Sequence, residues 1–266
     1  MPDKPLILIS NDDGIFAPGL YALYKVMKKI GEVKVIAPET EQSAVGHSIT
    51  LRNPLRAFTW YRFGKPFGTA ISGTPADCVK FALAEMLDRK PDLVVSGINQ
   101  GTNTGVDIMY SGTVSGATEA AINHIPAIAI SLASFVYSNF EPAAQFAHQI
   151  ALKTLKNGLP VGTFLNVNIP PFEAEEIKGV KWTRQGLSRW EEHFERRMDP
   201  KGKPYYWLNG DKVCDFKNGN TDEKCIEDGC ISITPVHIDF TDHEFLNNGR
   251  KWNFNTYPLQ KEAVAS

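Results

Sequence analysis

Two adjacent carboxylates, Asp12 and Asp13, lie shortly after a short apolar run in residues 6–9, with Ser10 and Asn11 between. The run has the length and composition of a buried strand, and Gly14 behind the pair indicates a tight turn. In an open α/β sheet, ligands bind beyond the carboxyl ends of the strands, which is where this pair is expected. Because neighbouring carboxylates repel each other, a divalent cation with oxygen ligands is the simplest partner. A polar turn without further chemistry is the alternative that these residues alone leave equally open.

Two more polar loops follow predicted strands of the same sheet. Ser43 lies in the loop after residues 33–37, and Asn99 lies in the loop after residues 92–96. Parallel strands end at one edge of a sheet, so these side chains are expected beside the aspartate pair. Carboxylate, hydroxyl and amide oxygens are donors that hard cations prefer. The pattern predicts one divalent cation, Mg²⁺ or Mn²⁺, held by Asp12, Asp13, Ser43 and Asn99.

An anion site is predicted next to the metal donors. The glycines and asparagines of residues 97–105 tolerate left-handed backbone, so successive N–H groups can point at one anion. Small residues from 111 onward begin a predicted helix, and a helix N-terminus also binds anions. A plain flexible loop is the alternative. The predicted phosphate and substrate contacts are Asn11, Gly14, Gly101, Asn103, Ser111, Gly112, Thr113 and, because it closely follows Ser43, His47. A metal site beside an anion site indicates phosphoryl chemistry.

The elements that must position these residues alternate between strand and helix, which is typical of a doubly wound α/β sheet. Predicted core strands cover residues 6–9, 33–37, 92–96, 126–132 and 164–169, and predicted helices cover 18–30, 74–87, 110–122 and 141–155. Residues 49–63 and 67–71 have the pattern of an extended, hairpin-like excursion.

The composition of the chain changes after residue 170, where charged and aromatic residues are interspersed. Strand-like pieces at 180–183, 205–208 and 230–234 predict a smaller β-rich extension. We therefore expect a catalytic core in residues 1–170 and an extension with the C-terminal tail in 171–266. Aromatic residues among charges favour an association surface, although they are equally compatible with a role in covering the core.

Composition narrows the class of protein. The chain has 266 residues, 42% hydrophobic and 22% charged, with a net charge of −2. These values predict a globular protein that binds neither a nucleic-acid polymer nor an anionic membrane. The sequence has neither a signal-peptide pattern nor an apolar run of about 20 residues, which predicts a cytoplasmic location. Cys78, Cys214, Cys225 and Cys230 form no Cys-x-x-Cys pair, so free thiols are expected rather than a zinc site, and a disulfide among the last three stays open.

Familiar catalytic patterns are absent from the sequence. No Gly-x-Gly-x-x-Gly follows the first strand, no Walker A sequence occurs, and no Gly-x-Ser-x-Gly elbow is present. These absences disfavour a dinucleotide enzyme, a P-loop enzyme and an α/β-hydrolase.

The polar loops and their neighbours together resemble the survival protein SurE family. The resemblance is carried by Ile-Ser-Asn-Asp-Asp-Gly-Ile-Phe-Ala-Pro-Gly at 9–19, Ser43 five residues after Pro38, Ser-Gly-Thr-Pro-Ala-Asp-Cys at 72–78, Val-Ser-Gly-Ile-Asn-Gln-Gly at 95–101 and Tyr-Ser-Gly-Thr-Val-Ser-Gly-Ala at 110–117. Further matches at 205–208, 232–235 and 239–241 extend it over nearly the whole chain. Residues 213–229, with Cys214, Asn218, Asn220 and Cys225, have no confident counterpart.

The resemblance implies a metal-dependent 5′/3′-nucleotidase that acts on nucleoside monophosphates, with looser phosphatase or polyphosphatase activity. It implies the same four cation donors, Asp12, Asp13, Ser43 and Asn99. It also implies a Rossmann-like, three-layer α/β core with a C-terminal β-rich extension that builds homodimers or homotetramers.

The predicted reaction is metal-assisted hydrolysis, with either Asp12 or Asp13 as the acceptor of a proton from water. Covalent attack by an aspartate is one alternative, but haloacid-dehalogenase-type enzymes use two aspartates separated by one residue, and these two are adjacent. A magnesium-binding receiver-like regulatory domain is another. Receivers require an aspartate after the third strand, where this chain has Ser-Gly-Ile-Asn.

Overall fold

The computed structural model describes residues 4–214 and 219–249. The strands are β1 (Leu6–Ser10), β2 (Glu32–Pro38), β3 (Ala57–Arg62), β4 (Lys65–Ile71), β5 (Leu93–Gln100), β6 (Ala127–Leu132), β7 (Thr163–Ile169), β8 (Val180–Trp182), β9 (Arg189–Met198), β10 (Pro204–Val213) and β11 (Ile231–His237). The helices are α1 (Pro18–Met27), α2 (Pro75–Phe81), α3 (Gly112–Ile122), α4 (Glu141–Asn157), α5 (Asp222–Glu227) and α6 (His243–Gly249).

A nine-stranded sheet forms the middle of the molecule, in the order β3-β4-β2-β1-β5-β6-β7-β11-β8. Pairing is parallel from β4 through β7, and antiparallel where β3 meets β4 and where β11 meets β7. β1 is buried along its whole length between β2 and β5. The loops that follow these three strands therefore open side by side at one edge of the sheet.

Helices cover both faces of the sheet, so the core has three layers. On one face, Ile7 and Ile9 of β1 pack in a cluster that includes Leu23 of α1. On the other face, Leu8 packs in a cluster that includes Val79 of α2 and Ala120 of α3. This alternation is the two-residue period of a strand buried on both sides. The predicted α/β, Rossmann-like, three-layer core is confirmed.

Two predicted helices are shorter in the structure. α1 ends at Met27 rather than at residue 30, because the last turn tightens to i→i−3 bonds from Lys29 N–H to Val26 O (3.1 Å) and from Ile30 N–H to Met27 O (2.9 Å). α2 begins at the expected cap, where the Thr74 hydroxyl accepts a bond from the Asp77 N–H (3.2 Å). It passes into a π-helical turn, Ala82–Met86, after Phe81.

The region after residue 170 divides in two. β8 and β11 continue the central sheet, whereas β9 and β10 pair antiparallel in a separate two-stranded sheet, a hairpin of ten-residue strands. β9 was not predicted as a strand, because nearly all its side chains are exposed and no alternation marks a buried face. Of the segment without a family counterpart, α5 is described, while Asn218 lies outside the described residues. The boundary at residue 170 stays a prediction.

The four cysteines are free thiols, and Cys78, Cys225 and Cys230 are buried. The helices of the described residues are all too short or too polar to cross a membrane.

Candidate active site

Asp12 and Asp13 lie just beyond the carboxyl end of β1. The Asp12 side chain is nearly buried, with only 5% of the residue exposed. Its carbonyl accepts a bond from the Gln42 N–H at 2.7 Å, and the Ile15 N–H donates to Pro38 O at 2.8 Å. These two bonds hold the loop after β1 against the loop after β2.

Ser43 follows Gln42 in that second loop and is exposed. Its hydroxyl donates to the Glu41 carboxylate at 2.6 Å. The donated proton points to Glu41, so the lone pairs of Ser43 Oγ remain as a donor for a cation.

Asn99 lies near the end of β5, after a register irregularity between Ser96 and Asn99. Its amide nitrogen donates to Gly101 O at 2.8 Å, so Oδ1 is the atom left to bind a ligand. The next residue, Gln100, donates its N–H to Asp13 Oδ2 at 3.4 Å. The structure thus brings the loops of all four predicted metal donors together around the aspartate pair.

The N-terminus of α3 closes the site from the other side. Ser111 caps the helix by accepting a bond from the Val114 N–H at 3.1 Å. The Thr113 hydroxyl donates to Asp12 Oδ1. A Cβ on Gly112 would lie 2.7 Å from Asp12 Cβ and 3.0 Å from Gln42 O, so a glycine is needed for the helix to approach this closely. The three predicted residues at this helix start therefore all lie at the site.

The electrostatics of the pair favour a cation. Burial raises the pKa of Asp12, and the hydrogen bonds from Thr113 only partly oppose this rise. Burial, and next the charge of Asp12, raises the pKa of Asp13 to about 7. Glu41 adds negative charge near both carboxylates. Within residues 4–214 and 219–249, no cationic side chain lowers either pKa, so the charge of the pair is not compensated.

A hard divalent cation fits this donor set. Two carboxylates, a hydroxyl and an amide oxygen match the oxygen donors of Mg²⁺ or Mn²⁺. The part of the chain that the structure describes holds no group of three or more His, Cys, Asp or Glu side chains suited to a metal. Since a soft-metal site needs such a group, the fit is to an oxygen-bound ion rather than to zinc.

Four of the predicted substrate contacts have other partners. The Asn11 amide nitrogen donates to Gly14 O at 3.0 Å within the loop itself, where Gly14 has a φ of +95°. The Gly101 N–H donates to Leu132 O at 2.9 Å. The Asn103 N–H donates to Asn168 Oδ1 (2.9 Å), and its amide nitrogen donates to Ser131 Oγ (2.8 Å). These four residues shape the loops, and direct contact with phosphate stays a prediction.

His47 contacts α3 through Glu119. Its Nε2 is 3.0 Å from Glu119 Oε2, and Lys80 Nζ is 2.8 Å from Glu119 Oε1. Burial tends to raise the pKa of Glu119, but these two partners outweigh it and lower the pKa. His47 also lines a cavity of about 120 Å³ with Ser111 and Ser115 of α3. Contact between His47 and substrate stays a prediction.

The sequence did not reveal two contacts of the aspartate pair. Thr113 was predicted at the site, and its hydroxyl bonds to Asp12, 101 residues away, while its contact with phosphate stays a prediction. Glu41 adds a third negative charge. For Thr113, the only available signal was a threonine among small residues at a helix start. For Glu41, the only signal was its proximity to Ser43 in the sequence.

Comparison with known proteins decides the family. The family model described as Survival protein SurE matches residues 7–192, which is well over half of the chain. The chain belongs to the SurE family. The predicted resemblance is confirmed.

Named relatives and a solved structure agree along nearly the full length. The chain is 48% identical over 255 residues to the 5′-nucleotidase SurE of Christiangramia forsetii, covering 95% of this chain and 98% of that protein. It is 47% identical over 247 residues to the 5′-nucleotidase SurE of Syntrophobacter fumaroxidans, covering 93% and 99%. The crystal structure of the SurE protein from Aquifex aeolicus superposes with a TM-score of 0.80 at 42% identity, over 92% of this chain and 98% of that one.

Proposed function

We propose that this SurE family member is a metal-dependent phosphomonoesterase that hydrolyses nucleoside 5′- or 3′-monophosphates to nucleoside and phosphate. The observation that carries the proposal is an uncompensated aspartate pair, Asp12 buried and Asp13 partly buried, placed against the N-terminus of α3. The names of the relatives, 5′-nucleotidase SurE, support the same reaction. Family membership gives no support to a receiver-like regulator or an aspartyl-phosphate phosphatase.

One Mg²⁺ or Mn²⁺ ion is the proposed cofactor, held by Asp12, Asp13, Asn99 Oδ1 and Ser43 Oγ. Such an ion supplies Lewis-acid stabilisation of the negative charge on a phosphate group. The protein holds the oxygen atoms that would bind the cation in place. Thr113 orients the Asp12 carboxylate, Gly101 O orients the Asn99 amide, and Glu41 orients the Ser43 hydroxyl.

The chain's own residues provide two further functions. The N-terminal turn of α3 presents the positive end of the helix dipole and backbone N–H groups, which bind the phosphate oxygens of the substrate. A carboxylate within reach of the attacking water can accept its proton. Asp12 and Asp13 are the proposed proton acceptors.

Phosphate release from AMP by the purified, EDTA-treated chain tests the proposal. We expect no turnover without metal and recovery when Mg²⁺ or Mn²⁺ is added. The absence of metal-dependent turnover on a panel of 5′- and 3′-nucleoside monophosphates would refute the function. A single turnover in ¹⁸O-labelled water separates the mechanisms, because label found in an aspartate would show covalent attack.

We propose that residues 171–266 assemble the chain into a homodimer or homotetramer, and that the protein works in the cytoplasm. Support for assembly comes from apolar side chains that the hairpin of β9 and β10 exposes, namely Phe194, Met198, Tyr206, Trp207 and Leu208. Light scattering coupled to size exclusion measures the state. A monomer at micromolar concentration would contradict the assembly.

A further inference from the structure

An ionic cluster lies where the hairpin of β9 and β10 meets the 101–110 loop and α5. Lys212 of β10 places its ammonium 2.7 Å from Asp107 Oδ2 and 3.6 Å from Glu223 Oε1. The same ammonium donates to Thr104 Oγ1 at 3.3 Å. The Lys212 side chain is only 21% exposed, so this contact is partly shielded from solvent. One lysine of the hairpin thus bonds the 101–110 loop at two points and α5 at a third.

The same loop has three more bonds to the C-terminal region. Asp222, which is fully buried, accepts a bond from the Gly105 N–H at 3.0 Å. Gln185 donates its side-chain amide to Gly105 O at 2.9 Å, and the Trp190 indole donates to Asp107 Oδ1 at 3.0 Å. A Cβ on Gly105 would overlap the Glu223 carboxylate. The middle of the loop is therefore closely packed on residues far along the chain.

Both ends of this loop carry parts of the proposed site. Asn99, a proposed metal donor, lies just before the loop, and Ser111 begins α3 just after it. Asp107 lies in a short 3-10 helix, Gly105–Met109, and its carbonyl accepts a bond from the Tyr110 N–H at 3.0 Å. A shift of Asp107 is thus carried through one helical turn to the cap of α3.

We propose that Lys212 is a positioning residue that holds the 101–110 loop and thereby sets the placement of Asn99 and the α3 N-terminus. Without its ammonium, Asp107 and Glu223 would face each other as shielded like charges, and the loop would move to separate them. The inference rests on the proposed function. It adds that the hairpin, besides any role in assembly, acts on the site through one ion-pair network.

The test compares Lys212→Met with the conservative Lys212→Arg and with Lys203→Met, which removes an exposed lysine at the hairpin turn. Hydrogen exchange is measured on the metal-free proteins, and kcat and KM for AMP are measured with saturating Mn²⁺. We expect Lys212→Met to speed exchange selectively in residues 101–110 and to lower kcat/KM about 10- to 100-fold, because a misplacement of about 1 Å in a site can cost about 100-fold in rate. Lys212→Arg should keep loop exchange and kcat/KM close to wild type, and Lys203→Met should change neither.

Two results would overturn the proposal. One is unchanged loop exchange and unchanged kcat/KM in Lys212→Met. The other is faster exchange spread over the whole chain, which would mark a general structural role. If Lys212→Met fails to fold, Lys212→Gln removes the same positive charge but keeps a polar side chain, and it should give the same local pattern. Hydrogen exchange needs no turnover. It therefore tests the positioning role of Lys212 even if the wild-type protein hydrolyses no nucleotide and the proposed function fails.

Discussion

Among the described residues, two clusters of acids, Asp12 with Asp13 and Asp222 with Glu223, differ in how their charge is met. Asp222 and Glu223 have raised pKa values because of burial, but backbone N–H groups and Lys212 counter the rise. Asp222 alone accepts bonds from the N–H groups of Gly105, Gly186 and Glu223. Asp12 and Asp13 lack any cationic side chain of this kind among residues 4–214 and 219–249.

This difference separates a structural cluster from a binding cluster. A buried acid with its own cation and N–H donors is satisfied by folding and has no need of a ligand. An acid pair without its own cation leaves the folded state strained by its own charge, and binding a cation relieves that strain. Protein sites often sacrifice stability for function in this manner. The predictions below test the contrast from the largest expected effect to the smallest.

Neutralising either member of the uncompensated pair should have the largest effect. Asp12→Asn or Asp13→Asn should lower kcat/KM for AMP about 1,000-fold, because the charge that holds the cation is lost while the shape is kept. Steady-state kinetics with added Mn²⁺ measures this. Asp88→Asn, at an exposed position, is the matched control and should keep wild-type activity. Near-full activity in both site variants would refute the site.

Displacing the pair without changing its charge should have the next largest effect. Gly112→Ala places a methyl group 2.7 Å from Asp12 Cβ, so α3 or the loop after β1 must shift. A displacement of about 1 Å can cost about 100-fold in rate, and we expect a loss of that size in kcat/KM. Gly249→Ala in α6 is the control, because among the described residues its methyl group would meet the Phe245 ring at an ordinary 3.6 Å or more. Equal activity of the two variants would show that α3 need not approach Asp12.

Changing the compensated cluster, Asp222 and Glu223, should lower the stability of the fold. Asp222→Asn turns one acceptor into a donor that faces backbone N–H groups, so we expect a loss of about 2 kcal/mol in the free energy of unfolding. Urea titration followed by circular dichroism gives the value. No loss would mean that the three N–H bonds to Asp222 contribute little.

Neutralising the uncompensated pair should change stability in the opposite direction. The folded pKa of Asp13 is raised to about 7 from an ordinary 3.8, so its ionisation opposes folding. The metal-free wild type should therefore lose stability as pH rises from about 4 through 7. Asp13→Asn should be free of most of this loss and, at pH 8, about 1 kcal/mol more stable without metal. Urea titrations at pH 5 and pH 8 measure the difference. A destabilised Asp13→Asn protein at pH 8 would contradict the contrast.

The sequence was sufficient to place the binding cluster but not the structural one. β1 could be recognised because a strand buried on both faces is apolar throughout. Because parallel strands end at one edge of a sheet, the loops of Ser43 and Asn99 could then be predicted to lie beside Asp12. The contact between Lys212 and Asp107 spans 105 residues and follows no period or motif. The position of the hairpin could not be predicted either, since its strands are almost entirely exposed and have no buried face that a sequence pattern could reveal.

The predicted anion-site residues also differ in how much of their surroundings the sequence could indicate. Ser111 and Gly112 were predicted from a helix start, which is a local feature, and they lie at the site. Gly101 and Asn103 were predicted from their residue types alone. Their N–H groups bond to Leu132 and Asn168, partners in strands that the loop sequence does not indicate.

Titration of the EDTA-treated chain with Mn²⁺, followed by electron paramagnetic resonance at pH 8, tests the central claim most directly. The account predicts one bound Mn²⁺ per chain in wild type and in Asp222→Asn, and loss of that site in Asp12→Asn and Asp13→Asn. A wild-type chain that binds no Mn²⁺, or an Asp12→Asn chain that binds it as tightly as wild type, would contradict the account.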